Sequence, residues 1–229
     1  RYYDTKKQPV RWAFGHGLSY TSFAYSNLHL SAASMGDEDV LSVSADITNT
    51  GNRSGKEAVQ LYVSDRNGTF GRPAKELKGF TKVSLAPGET KTVTWQIRAR
   101  DLSYYHTELG DWYAPSGTYG ILVGSASDDI RLEGEVNFVT AKLLPMTIDG
   151  TTTLGDLMAD PRTAPVLSEI MKSAFGAAAE NDNAGMNSDD ATARATMNAM
   201  PLKSLASFAA MPQEQYDAML QGFRAAAEA

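Results

Sequence analysis

The chain has 229 residues, 42% of them hydrophobic and 21% charged, which is enough for one or two domains with real cores and excludes disorder on compositional grounds. The formal net charge of −6 argues against a nucleic-acid partner, because phosphates need a basic face. With no cysteine, there is no disulfide, thiolate or Cys-based zinc site, and no apolar run approaches the roughly 20 residues of a membrane helix.

From the first residues onward, the leading part reads as strands. Tyr25 to Leu30 is the first. In Val40 to Thr48, Leu41, Val43, Ala45 and Ile47 alternate with Ser42, Ser44, Asp46 and Thr48, the period of a half-buried strand. Asn49-Thr50-Gly51-Asn52 and Ser54-Gly55 supply turn chemistry. Val59, Leu61 and Val63 alternate with polar neighbours and Tyr62. Leu77, Phe80 and Val83 mark a further strand, and Ala86-Pro87-Gly88-Glu89 a turn. Val93, Trp95 and Ile97 share one face. Tyr119, Ile121 and Val123 follow, then Leu132, Val136 and Phe138. About seven short alternating strands without helices between them predict an antiparallel β-sandwich of the immunoglobulin or fibronectin type III sort.

The character changes near Pro145. Before it lie 17 of the 21 aromatic residues, and after it eight of the nine methionines. Residues 1–145 are charge-neutral and the whole net −6 falls in residues 146–229, which reads as a domain boundary. The second part has helical spacing. Thr153 caps a short helix carrying Leu154, Leu157 and Met158. A second helix runs from about Thr163 to Ala179, with Val166, Leu167, Ile170, Met171, Ala174 and Phe175 on one face. Glu180 to Asp190 reads as a polar loop, and a third helix follows from Asp190 to Met200. Pro201 and Pro212 each suit a first helical position, opening segments with Leu202, Leu205 and Phe208, then Tyr216, Met219, Leu220 and Phe223. The expected division is 1–23 as a junction to an upstream domain, 24–141 as the sandwich, 142–152 as a linker and 153–229 as a helical extension.

Chemistry is harder to find. No phosphate-cradling loop, Gly-x-Ser-x-Gly elbow or His-Glu-x-x-His occurs, and His16, His29 and His106 have no metal-ligand spacing. Phe14-Gly15-His16-Gly17 has no strand before it and no helix after it, so His16 reads as a loop or interface residue, not a base. Tyr104-Tyr105-His106 and Trp112-Tyr113 form a dense aromatic cluster. It reads either as a sugar-stacking platform or as a long loop packed over the sandwich, with Gly110 and Pro115-Ser116-Gly117 as punctuation. Arg66 to Arg72 is either a mobile contact segment presenting Phe70 or a plain surface loop.

Several ordered blocks carry a resemblance. Arg1-Tyr2-Tyr3-Asp4, Phe14-Gly15-His16-Gly17-Leu18-Ser19-Tyr20-Thr21, Val59-Gln60-Leu61-Tyr62-Val63-Ser64-Asp65, Pro73-Ala74-Lys75-Glu76-Leu77-Lys78-Gly79-Phe80, Leu85-Ala86-Pro87-Gly88-Glu89-Thr90 and Ser116-Gly117-Thr118-Tyr119 resemble glycoside hydrolase family 3. They look like the end of its second catalytic domain followed by its fibronectin type III-like domain. Thr153-Leu154-Gly155-Asp156-Leu157-Met158 and Met200-Pro201-Leu202-Lys203-Ser204-Leu205 are similar to the C-terminal extension of bacterial β-glucosidases of that family. The resemblance implies a retaining β-glycosidase, most often a β-glucosidase, working through two carboxylates and without a cofactor or metal. Both carboxylates belong to domains upstream of Arg1, so no catalytic residue is expected here. Gly110-Asp111-Trp112 mimics the family's nucleophile motif but lacks its Ser, and Asp111 is not expected to be a nucleophile.

The expected role is therefore to brace upstream catalytic domains, covalently attached or supplied by another chain, with Trp12, Phe14 and Tyr20 buried at the junction and a β-glucoside or oligosaccharide as the enzyme's substrate. The tail would pack on the sandwich or on another copy in a homo-oligomer. A stand-alone carbohydrate-binding or adhesive module and a pure structural spacer are the alternatives. The lack of cysteine favours a cytoplasmic setting. The opening Arg1, with neither a Met start nor an apolar signal segment, suggests a fragment.

Overall fold

The computed structural model describes residues 2–69, 71–175, 191–208 and 211–228, in two compact units, Arg1–Leu143 and Leu144–Ala229. In the first unit the strands are β1 (Phe23–Leu30), β2 (Ser34–Met35), β3 (Val40–Asn49), β4 (Gly55–Asp65), β5 (Glu76–Leu85), β6 (Thr90–Arg98), β7 (Tyr104–His106), β8 (Asp111–Tyr113), β9 (Gly117–Ala126) and β10 (Asp129–Phe138). Two short helices accompany them, α1 (Tyr2–Thr5) and α2 (Ala99–Leu102).

A three-stranded sheet in the order β1-β3-β6 and a five-stranded sheet in the order β2-β10-β9-β4-β5 enclose one core. All the pairings are antiparallel except that of β2 with β10, which is parallel. The alternation in the sequence maps directly onto this core. Leu41, Val43, Ala45 and Ile47 of β3 meet Val59, Leu61 and Val63 of β4, Val93, Trp95 and Ile97 of β6, and Tyr119, Ile121 and Val123 of β9. Burying each large side chain contributes roughly 1.5–3 kcal/mol.

The sequence pattern fails at two bulges. Asn27 adopts φ 52°, and the β1–β3 register shifts between Ser26 and His29, so Tyr25 and Leu28, three residues apart, both pack on the core. In β5, Leu61 pairs with Gly79 but Tyr62 pairs with Leu77, leaving Lys78 as the extra residue. Phe80, one of the three residues that mark this strand in the sequence, faces solvent, 71% exposed, because it pairs with the outward-facing Gln60. Gly79 takes the inward place, where an added Cβ would lie 2.9 Å from Cδ1 of Trp95. The count of about seven strands also falls short, because β2 and the β7–β8 hairpin add to it and α2 interrupts the strand series.

One buried polar residue ties the turns together. The Nδ2 of Asn49 donates to the carbonyls of Arg53 (2.8 Å) and Leu85 (3.1 Å), and its Oδ1 accepts from Thr21 Oγ1 (2.6 Å) and Gly51 N–H (3.1 Å). All four of its hydrogen-bonding positions are used, so its burial carries no unsatisfied-group penalty.

In the second unit the helices are α3 (Leu154–Ala159), α4 (Ala164–Phe175), α5 (Ala191–Asn198), α6 (Leu202–Phe208) and α7 (Gln213–Glu228). The α3 N-terminus carries a reciprocal cap: Thr153 Oγ1 accepts from Asp156 N–H, and the Asp156 carboxylate accepts from Thr153 N–H, each at 3.2 Å. Leu154, Leu157, Leu167, Met171, Leu202, Met219, Leu220 and Phe223 form its core. Pro201 and Pro212 sit just before α6 and α7, one residue ahead of the expected first helical position, and Pro201 instead bridges Thr153. The expected polar loop Glu180–Asp190 and the end of the second expected helix lie outside the described residues.

Candidate functional site

Residues 2–22 form a strap across the outward face of the five-stranded sheet. Alternation would leave Gln60, Tyr62 and Ser64 of β4 in water, yet all three are buried. The strap is fixed at several points. Asp4 ion-pairs with Lys75 at 2.9 Å, the Phe14 carbonyl accepts from Ser127 N–H at 2.8 Å, and Thr21 reaches Asn49. Gly15, at φ +85°, presses on Gln60 so closely that a Cβ there would stand 2.1 Å from Nε2. Only glycine accepts both that backbone geometry and that approach. Beneath it, Gln60 donates to the Ser125 carbonyl at 2.5 Å and accepts from the Tyr62 hydroxyl. Burial, followed by the charges of Asp4 and Asp128, pushes the Tyr62 pKa up.

The other side of the strap is apolar and open. Trp12 and Phe14 are exposed, and Leu18 and Tyr20 are 94% and 93% exposed. His16 stacks against Trp12, with ring centroids 4.8 Å apart, so it stands where a contact residue would. Between the strap and the β4, β5 and β10 edges lies a cleft of about 590 Å³, walled by Lys56, Glu57, Lys82, Asp128 and Arg131. In it, the Arg131 guanidinium pairs with Asp129 at 2.7 Å and covers the Tyr25 ring at 4.7 Å. Hydrogen bonds from Arg131 and then Ser125 hold the Asp129 carboxyl below its ordinary value.

Two other sequence candidates meet at one end of the sandwich. Phe70 of the Arg66–Arg72 segment lies outside the described residues. The loop's base is fixed: Asn67 Oδ1 accepts from Thr118 N–H at 2.8 Å, and Arg66 ion-pairs with Glu133. Arg72, which the sequence leaves looking like a surface charge, has a buried guanidinium. It pairs with Glu76 (2.7 Å), donates to the Leu102 carbonyl (2.6 Å), stands 3.8 Å from Asp65 and covers the Tyr104 ring at 5.8 Å. Burial pushes the Glu76 carboxyl up, but hydrogen bonds from Lys78 and Arg72 outweigh it and leave the pKa lowered.

Arg72 thereby ties the loop to the β7–β8 hairpin. The aromatic cluster there is divided: Tyr104, His106 and Tyr113 are half-buried, while Tyr105 and Trp112 point outward, 52% and 41% exposed. The packed-loop expectation therefore describes three of the five rings and not the other two. Asp111 is exposed and bound to Lys142 at 2.6 Å. The hydrogen bond from Lys142, then that from Trp112 N–H, holds its pKa down. Among the described residues, no group of three or more His, Cys, Asp or Glu could hold a metal ion.

Comparison with known proteins accounts for this architecture. Residues 57–127 match the fibronectin type III-like domain model. The chain is 40% identical over 209 residues to thermostable beta-glucosidase B of Acetivibrio thermocellus, covering 91% of this chain and 27% of that protein. It is 37% identical over 211 residues to an exo-alpha-(1->6)-L-arabinopyranosidase of Bifidobacterium breve, covering 90% of this chain and 26% of the relative. The crystal structure of a Bifidobacterium adolescentis GH3 beta-glucosidase superposes with a TM-score of 0.65 at 35% identity, over 72% of this chain and 24% of that one. The chain thus spans about a quarter of the length of these relatives, each of which carries the matching region within a longer polypeptide. A segment of a longer protein is favoured over a stand-alone module.

Proposed function

We infer, because the chain belongs to glycoside hydrolase family 3 as a C-terminal segment with a fibronectin type III-like domain, that it braces the catalytic domains of a retaining β-glucosidase. That enzyme removes terminal β-D-glucosyl residues. The chemistry of such a reaction needs a carboxylate to attack the anomeric carbon and a second to cycle between acid and base. Both lie outside this segment. Asp111, held ionised by Lys142 in the hairpin, is neither.

The observation that carries the reading is the strap. Its inner side is locked to the sheet, while Trp12, Phe14, Leu18 and Tyr20 project from its outer side, an apolar row of the kind that marks a protein contact. Exposed Phe80 stands on β5 opposite Gln60, the residue Gly15 covers, and adds a further exposed apolar side chain on that face of the sheet. The partner is the upstream α/β catalytic domain, on which the row closes. The Arg66–Arg72 loop, held at its base by Arg72, reaches the rim of the active site. The helical unit packs at a protein surface, either of the same enzyme or of a second copy. The residues 1–23, 24–141, 142–152 and 153–229 then act as junction, sandwich, linker and extension.

The test is made on the longer polypeptide containing Arg1. It should hydrolyse aryl β-glucosides, and Trp12→Ala with Tyr20→Ala should lower its melting temperature more than that of the 229-residue chain. Absence of β-glycosidase activity sinks the assignment. Equal destabilisation of both proteins sinks the bracing role. Shortening the 66–72 loop should raise KM for oligosaccharides but not for aryl glucosides, and unchanged kinetics remove the loop from the active site.

A further inference from the structure

We propose that the outward face of the β7–β8 hairpin is a binding surface for an uncharged β-linked oligosaccharide, carried by the sandwich itself. The proposal rests on the reading above, that the longer protein acts on β-glucosides.

The hairpin pairs Tyr104 with Tyr113, Tyr105 with Trp112 and His106 with Asp111. Its inner rings are anchored: Tyr104 lies under the Arg72 guanidinium and edge-on to Tyr113, with centroids 6.2 Å apart. Lys142 fixes β8 from the other side, donating to the Asp111 carboxylate at 2.6 Å and the Trp112 carbonyl at 3.2 Å. A hairpin clamped this way loses little freedom when it binds something. Even so, its two outward rings stay partly in water, Tyr105 52% and Trp112 41% exposed.

Their arrangement selects the ligand. Tyr105 and Trp112 are direct cross-strand neighbours with centroids 5.7 Å apart and planes at 75°, a corner and not a flat plate. The axial C–H groups of a pyranose are polarised by their oxygens and lie against the electron-rich face of an aromatic ring. A corner takes one sugar ring on its face while the other aromatic closes on its rim. The hydroxyls then need donors and acceptors nearby. Arg100 covers one face of Trp112, its guanidinium carbon 3.1 Å from the ring centroid, so the sugar is taken on Tyr105 while Trp112 and the Arg100 guanidinium close on its rim. Asp111 supplies carboxylate oxygens. The rim therefore holds both signs of charge, Arg100 and Lys142 against Asp111. A polyol uses both as hydrogen-bonding groups, donors from Arg100 and Lys142 and acceptors from Asp111.

Cellohexaose titrated calorimetrically into the 229-residue chain tests this, since any binding is then to this chain's own surface. Saturable binding is expected, weakened about five- to ten-fold by Trp112→Ala and by Tyr105→Ala, each removing one ring of the corner. Trp12→Ala on the strap should leave it unchanged. Because the corner is not a flat plate, microcrystalline cellulose should not retain the chain. Thermal melts report whether each variant folds, and Tyr105→Ser replaces any that does not. No binding at millimolar sugar overturns the proposal, as do equal affinities in wild type and both hairpin variants, or stronger binding of glucose 6-phosphate than of glucose. If the hairpin variants instead lower the melting temperature of the longer polypeptide and sugar binding is absent, the face is a protein contact and the proposal falls. Aryl β-glucosidase activity of the longer polypeptide is measured separately: activity without oligosaccharide binding removes only this surface, whereas binding without activity removes the reading it rests on.

Discussion

The sandwich and the helical unit reach stability by different routes. The sandwich joins residues far apart in sequence: β3 alone pairs with β1 on one side and β6 on the other, and its core draws on both sheets. The helical unit has short elements around a smaller core, and its connections are pinned by side chains reaching backbone carbonyls. Arg162 donates to the carbonyls of Ala227 (2.7 Å) and Leu144 (2.8 Å) while pairing with Asp160 (2.6 Å), and Arg224 donates to that of Ile148 (2.9 Å). Isolated helices of this length are marginal, so such pins matter more there than in a sheet whose ladders already satisfy the backbone.

The largest test of this contrast removes one buried ring from each core. Phe138→Ala and Phe223→Ala, both fully buried in wild type, should each cost about 3–5 kcal/mol. Differential scanning calorimetry should assign the first to the sandwich transition and the second to the helical one. One shared loss would mean that the units unfold as a single body. Next comes Asn49→Ala, which strands the two carbonyls and two donors that the side chain satisfies. It should destabilise the sandwich by about 1–3 kcal/mol and free the Thr21 end of the strap, read as faster amide exchange at Thr50 and Gly51. Thr153→Ala, removing the reciprocal cap of α3, should cost the helical unit about 1 kcal/mol, with Thr153→Ser restoring it. The smallest effect is on pH. The Arg162 hydrogen bond, against an opposing desolvation, lowers the Asp160 pKa from 3.8. A depressed carboxylate pKa stabilises the fold above its unfolded value and loses that contribution as pH falls through the folded one. The helical transition should therefore weaken below about pH 4, and Asp160→Asn should flatten that dependence.

How much of this was legible in the sequence depends on whether the cause is local. The alternation in Val40 to Thr48 and in Val93 to Ile97 names inward residues because a strand's two faces follow from its own pleat. Thr153 reads as a cap because the cap is three residues long. The bulges at Asn27 and Lys78 were not legible, since a bulge is defined by the partner strand. Arg72 is a charged residue in a glycine-containing loop, and nothing nearby in sequence announces that Leu102 and Tyr104 come to meet it. The burial of Gln60 and Tyr62 depends on a strap some fifty residues away, and that of Ser64 on the loop before β5, where its hydroxyl donates to the Ala74 carbonyl. The signal for the strap was present in Gly15, between Phe14 and His16, but its meaning needs the sheet underneath. The division of the aromatic cluster into anchoring and outward rings follows from the hairpin register, which its spacing alone does not set.

The pins along the strap also have a mechanical meaning. A pull transmitted into Tyr2 does not unzip β1 directly. It first loads the Asp4–Lys75 ion pair, then the Phe14–Ser127 hydrogen bond, and only then the Thr21–Asn49 contact that guards the entry to β1. These attachments fall on β5's leading loop, the β9–β10 turn and the end of β3, so the strain is shared among three places before any ladder is engaged. Force spectroscopy would see this as small early yields ahead of the main rupture.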